Sequence, residues 1–108
     1  MISLIQQHRP DVAALCRHYG VQSLDVFGSA AGDTFDPAHS DIDFLVAFNP
    51  TETAGLFQRF FGLQEALENL LQRKVDLVSA AALSNPYFIA EVNRTRQAVY
   101  ASANAQAA

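Results

Sequence analysis

Phe27–Val46 reads FGSAAGDTFDPAHSDIDFLV, and the fold turns on its two ends. The stretch Val21–Phe27 leading into it has the apolar content of a buried strand, and it runs straight into Gly28-Ser29. A glycine there lets the backbone approach a ligand closely, because no Cβ intervenes. If Ala30 and Ala31 continue as a short helix, its first N–H groups point at whatever anion docks there, and the Ser29 hydroxyl adds a donor. On its own this phosphate cradle is weak, since Gly-Ser pairs occur in many turns. At the other end Asp41–Phe48, DIDFLVAF, is apolar on both faces after its two carboxylates, the pattern of a central strand covered on both sides. The intervening segment 32–40 holds the Gly, Asp, Pro and Ser of irregular backbone.

Asp41 and Asp43 are two residues apart, so on a strand they project side by side with Ile42 turned away. Two such charges repel, and burying them uncompensated would cost several kcal/mol. A divalent cation removes the penalty, and hard oxygen ligands suit Mg²⁺. An Asp-x-Asp can equally be a solvated turn. What argues against that here is its pairing with Gly28-Ser29 and its entry into so apolar a strand. A third acid, Asp76, lies within Val75-Asp76-Leu77-Val78, a short apolar strand where a carboxylate needs a reason. If this strand lies beside Asp41–Phe48, Asp76 faces the same site; otherwise it is an edge residue facing water. Three carboxylates can support one or two Mg²⁺ ions for in-line displacement at phosphorus.

Outward from this centre, strands and helices alternate. Val12, Leu15, Cys16 and Tyr19 recur at helical spacing over 9–19, with Pro10 in the first turn and Gly20 at the C′ position. Ile2–Gln7 is read as a preceding helical turn. Thr51 is the expected cap of a long helix over 52–72, with Leu56, Phe60, Leu63, Leu67 and Leu70 on its buried face. Phe57 and Phe61 are read first as widening that core, and second as a surface for a partner. Asn85-Pro86 opens a helix with Phe88, Ile89 and Val92 inward, and Gln97–Tyr100 forms a last strand. The fold class is α/β (α+β): a small mixed sheet flanked by helices. Residues 1–100 are expected to form a single domain, and 101–108, ASANAQAA, a frayed tail.

Composition narrows the function. The chain has 108 residues, half of them apolar, 17% charged, with a formal net charge of −4. Without a basic stripe, direct binding of long nucleic acid is disfavoured. No apolar run reaches the roughly 20 residues that span a bilayer. The N-terminus lacks a signal-peptide pattern, and one cysteine cannot form an internal disulfide, so a cytoplasmic setting is expected. Cys16 is read as a small core residue. His8, His18 and His39 share no ligand spacing, though His39 is near the Asp pair. Asp33 and Asp36 are read as shaping the loop; Lys74, which would share a strand face with Asp76, is read first as a solvated partner of the acids and second as a phosphate contact.

Gly28-Ser29, Asp41-Ile42-Asp43 and the later strand acid Asp76 together resemble the nucleotidyltransferase superfamily related to DNA polymerase β. The short length is similar to its minimal (MNT) members. The resemblance runs from Arg9 to Tyr100. It implies Gly28 and Ser29 on the nucleotide phosphates, Asp41, Asp43 and Asp76 as catalytic metal-holding carboxylates, and Asp76 able to activate the attacking hydroxyl. It implies ATP as substrate, one or two Mg²⁺ ions, and a HEPN-type ribonuclease toxin as partner, with this chain as the antitoxin that transfers AMP to a toxin hydroxyl. A catalytically weak or inactive nucleotide-binding module that neutralises a partner by covering it is the alternative. A small-molecule adenylyltransferase similar to aminoglycoside-modifying enzymes is a third reading, disfavoured by the absence of their substrate domain. Homo-oligomerisation is left open. The chain departs from the pattern in two ways. Many members carry Arg or Lys two to three residues after Gly-Ser, where this chain has Ala30-Ala31-Gly32. Its interval to the first Asp is also one residue longer than in many minimal members.

Overall fold

The computed structural model describes residues 1–50 and 55–102. In chain order it places α1 (Ser3–Gln7), α2 (Arg9–His18), β1 (Val21–Phe27), β2 (Ile42–Phe48), α3 (Leu56–Leu71), β3 (Val75–Ser79), α4 (Pro86–Thr95) and β4 (Gln97–Ala101). Single 3₁₀ turns follow β1 at Gly28–Ala31 and β3 at Ala80–Ala82. The four strands form one mixed sheet in the order β3-β2-β1-β4. β1 runs antiparallel to β2 and β4, whereas β2 and β3 are parallel and joined across α3. This is the small mixed sheet with flanking helices that the alternating sequence pattern predicts.

Alternation along the strands divides the interior in two. Leu24 and Val26 of β1, Ile42, Phe44 and Val46 of β2, and Val75 and Leu77 of β3 join one large core with Ile5, Val12 and Cys16 from α1 and α2 and with Leu63, Leu67 and Leu71 from α3. The intervening residues point the other way, where Phe27, Leu45 and Val92 form a small second cluster beneath α4. β2 is therefore covered on both faces, as its unbroken apolar run requires. The acids Asp25, Asp43 and Asp76 share the thinner face with α4.

Local chemistry sets the helix ends. Gly20 takes φ +70 immediately beyond α2, a left-handed value that a Cβ disfavours. Asn85 caps α4, its side-chain oxygen accepting from the Tyr87 N–H at 2.9 Å and the Phe88 N–H at 3.4 Å. Cys16 is fully buried, and desolvation pushes its thiol up to about 12, so it is a core residue as expected.

Four expectations are corrected. Leu56 lies half exposed, and the buried stripe of α3 is Leu63, Leu67 and Leu71 with Phe60 and Leu70 partly covered. Phe57 and Phe61 do not widen the core: they are 73% and 48% exposed and pack on each other with tilted rings, centroids 4.6 Å apart. On α4 only Val92 is fully inward, while Phe88 reaches the Phe27 ring at 5.9 Å from an exposed position. At the C-terminal edge β4 extends through Ala101, and the Ser102 N–H donates to the Gln22 carbonyl at 2.8 Å, so these two residues belong to the sheet edge rather than to a frayed tail. The proposed cap at Thr51 and the helix start at Glu52 fall outside the described residues, as does 103–108 of the tail.

Candidate active site

The site lies on the thinner face, at the shared end of β1, β2 and β3. Parallel pairing sets Asp43 directly across from Asp76, about 4.8 Å away strand to strand. The Ile42 N–H donates to the Lys74 carbonyl at 3.1 Å and locks that register at its first rung. Asp41 precedes β2 by one residue and is half-buried, like Asp43, while Asp76 is exposed on the outer strand. Burial raises the Asp43 carboxyl from 3.8 to about 6, with the charges of Asp76 and then Asp41 adding to the rise. The three acids are thus electrostatic neighbours centred on Asp43. Among the described residues, no three His, Cys, Asp or Glu side chains are already gathered as ready ligands of one ion. In donor type the three carboxylates suit a hard divalent cation, with Asp43 as the electrostatic centre. The side chains are not pre-assembled around it.

Gly28 closes the other wall. Its φ is +71, and a Cβ built on it would sit 2.8 Å from the Asp43 carboxylate oxygen. The position therefore needs glycine twice, for its backbone and for the close approach to Asp43. Ser29 follows, half-buried. The expected helical continuation is only the 3₁₀ turn Gly28–Ala31, and its two alanines are core residues. The Ala30 carbonyl accepts from the Ile2 N–H at 2.9 Å and the Ala31 carbonyl from the N-terminal ammonium at 2.5 Å. Residues 30 and 31 are thus packed beneath Met1 and Ile2.

One contact at the site has no signature in sequence. Thr95, the last residue of α4, accepts from the Gly28 N–H at 3.0 Å while its hydroxyl donates to the Glu91 carbonyl at 3.2 Å. Next to it Arg96 donates to Asp25 at 2.7 Å, pairing the one acid buried among the described residues. Together these bonds pin the end of α4 to the Gly28 turn. A polar cleft of about 400 Å³ lies between that turn and α4, with Ser29, Thr34, Glu91 and Arg94 among its walls.

Of the two loop acids read as structural, Asp36 makes the local bonds expected of it. Asp36 accepts from the Ala38 N–H at 2.9 Å and pairs with His39 at 2.8 Å, and these contacts hold its carboxyl below the usual range. His39 is therefore tied to the loop acid. Lys74 is exposed. Asp33 lines the cleft beside Gly28.

Comparison with known proteins agrees with this geometry. Residues 12–100 match the family model described as nucleotidyltransferase domain. A provisionally named protein adenylyltransferase of Methanocaldococcus jannaschii is 44% identical over 69 residues, or 64% of this chain and 66% of that protein. The alignment thus spans just under two thirds of that relative's own length. A solved structure described as a minimal nucleotidyltransferase superposes with a TM-score of 0.69 at 35% identity, covering 85% of this chain and 89% of that one. A Shewanella oneidensis complex of an AMPylated HEPN toxin with an MNT antitoxin shares the fold, with a TM-score of 0.64 at 20% identity over 95% of this chain and 77% of that chain. With a family model spanning most of its length, and with the sheet and acids laid out as above, the chain belongs to the nucleotidyltransferase domain family.

Proposed function

We infer that this chain is a Mg²⁺-dependent protein adenylyltransferase that moves AMP from ATP to a hydroxyl on a partner protein. The observation that carries the reading is Asp43, a carboxylate raised by burial and flanked by two further acids, set against a glycine whose missing side chain leaves room beside it. Asp41, Asp43 and Asp76 would hold the cation, which when bound offsets charge on the phosphates. Gly28 and Ser29 bound the phosphate side of the site. An acceptor Tyr, Ser or Thr hydroxyl oxygen forms a bond to the α-phosphorus as the bond from that phosphorus to the α–β bridging oxygen breaks. Pyrophosphate leaves, and the hydroxyl proton passes to the exposed Asp76 carboxylate.

A HEPN-type toxin is the proposed acceptor, which makes this chain the antitoxin of a pair. The fold shared with an MNT antitoxin captured beside an AMPylated HEPN toxin supports this assignment. A second reading, a nucleotide-binding module that neutralises its partner by covering it, is favoured by Ala30-Ala31-Gly32 standing after Ser29 in place of a basic side chain.

One experiment separates the two. The chain is incubated with α-labelled ATP, Mg²⁺ and the helical partner encoded beside it, as wild type and as Asp43→Asn. Label on the partner that is lost in the variant is expected. A stable complex that forms without label, unchanged by the substitution, would overturn catalysis in favour of the covering module.

A further inference from the structure

We propose that Arg94 is the cation that binds the nucleotide's triphosphate, supplied from α4 instead of from the Gly-Ser loop. The inference rests on the nucleotide-handling reading above. A triphosphate needs positive charge beside the turn that receives it, and arginine's planar fork suits phosphate oxygens. The loop has none to give. Ala30 and Ala31 are 0% and 1% exposed and packed beneath the N-terminal residues, so a long basic side chain there would have to displace them. Gly32 carries no side chain.

Arg94 answers the same need from across the cleft. It is the one basic residue among those lining the 400 Å³ space that contains Gly28 and Ser29. Its neighbour Thr95 accepts the Gly28 N–H at 3.0 Å, which fixes the backbone carrying Arg94 to the turn itself. Lys74, exposed just before β3, is not among the residues lining this cleft, and two further arginines are committed elsewhere. Arg96 holds Asp25 at 2.7 Å, and Arg73 donates to the Pro37 carbonyl with its guanidinium 5.6 Å from the Phe35 ring.

The present partner of Arg94 also points to its ligand. Both Glu91 oxygens accept from it, one from Nε at 3.2 Å and the other from the terminal nitrogen. This is a two-pronged carboxylate–guanidinium fork, and two phosphate oxygens can reproduce it. The pair is exposed, 69% for Arg94 and 57% for Glu91, so water screens it and exchange is easy. In this arrangement Glu91 keeps the fork oriented until a phosphate replaces it.

The test is calorimetric titration of the full chain with Mg²⁺-ATP, Mg²⁺-tripolyphosphate and AMP, with Arg94→Ala, Arg94→Lys and Glu91→Ala beside wild type. Thermal unfolding and circular dichroism establish that each variant is folded. Arg94→Ala is expected to weaken ATP and tripolyphosphate binding at least tenfold and AMP binding less than twofold. Arg94→Lys should fall between, and Glu91→Ala should bind tripolyphosphate at least as tightly as wild type. Unchanged tripolyphosphate binding in Arg94→Ala would overturn the proposal. So would equal weakening in Glu91→Ala, because that marks the pair as merely structural. Wild type that binds triphosphate through Arg94 yet labels no acceptor would leave this inference standing and remove the catalytic one. Wild type that binds neither ATP nor tripolyphosphate overturns both.

Discussion

Asp43 is held in an environment that suits its neutral form. Burial and the facing charges of Asp76 and Asp41 raise its carboxyl from 3.8 to about 6. A group whose folded value lies above its unfolded value adds stability below the unfolded value and loses it as pH rises through the folded one. The contribution is thus fully present below about pH 4 and is lost as pH passes 6. Full burial would make the rise worth about 3 kcal/mol, and solvent screening at this half-exposed position reduces it to the order of 1 kcal/mol. In metal-free buffer Asp43→Asn is therefore expected to raise unfolding stability by about 1 kcal/mol at pH 8 and by nothing measurable near pH 3.5. Urea titrations at the two pH values read the difference, and a variant less stable than wild type at pH 8 would contradict the crowding of charge around Asp43. Thr95 yields a second residue-scale prediction. Replacing its hydroxyl with a methyl in Thr95→Val leaves the Gly28 N–H without its acceptor, at a cost of about 1–2 kcal/mol. It should weaken Mg²⁺-ATP binding several-fold, whereas Thr95→Ser should keep both stability and binding. A serine variant as impaired as the valine one would show that the methyl packing, not the hydrogen bond, is what matters.

Among the elements, α4 bears most on the site, because its apolar side packs on the small second cluster, its end is bonded to the Gly28 turn, and it carries Glu91, Arg94 and Thr95. Its start depends on Asn85, whose side chain accepts from two N–H groups of the first turn. Asn85→Ala is expected to cost about 1 kcal/mol by chemical denaturation. The loss should also appear as faster amide exchange along 86–95 than in the core strands; uniform acceleration everywhere would place α4 within the global unfolding unit. This helix also marks the boundary of what the chain discloses by reading alone. Its cap and Pro86 were legible because capping chemistry is local, and β1 and β2 because a strand buried on both faces leaves an unbroken apolar run. The parallel pairing that sets Asp43 across from Asp76 was legible only as a condition. Thr95 and the Asp25–Arg96 pair were not legible, for they join residues 67 and 71 positions apart and neither has a local pattern. The exposure of Leu56, Phe57 and Phe61 was hidden for a different reason. Their helical spacing matches a buried face, and spacing does not say where the sheet beneath the helix ends.

At the scale of the whole molecule, the large core is on one side of the sheet and the candidate site on the other. α1, α2 and α3 bury their stripes together, whereas among the described residues the face bearing Asp43 and Asp76 is covered by α4 and the small cluster of Phe27, Leu45 and Val92 with Val78, Ala80 and Leu83 against it. That face is joined to the rest by few contacts, chiefly Gly28–Thr95, Asp25–Arg96 and the Phe27–Phe88 rings. A ligand that bridges the Gly28 turn, the acids and α4 would add links where the molecule has fewest. Binding to the folded state alone stabilises by about 2.7 kcal/mol at a hundredfold excess over Kd. For a domain of this size that amounts to a rise in Tm of about 10 °C or more. Mg²⁺-ATP at such an excess is accordingly expected to shift the melting curve by that amount, and Mg²⁺ alone by less. In Asp43→Asn the metal-dependent part should vanish while a remnant due to the phosphates stays. Hydrogen exchange should register the same event as slowed amides in 28–31 and 86–95, with the β1–β2 ladder little changed. Uniform protection across the sheet, or a melting curve indifferent to Mg²⁺-ATP, would mean that the acids and the Gly28 turn do not take up one ligand between them.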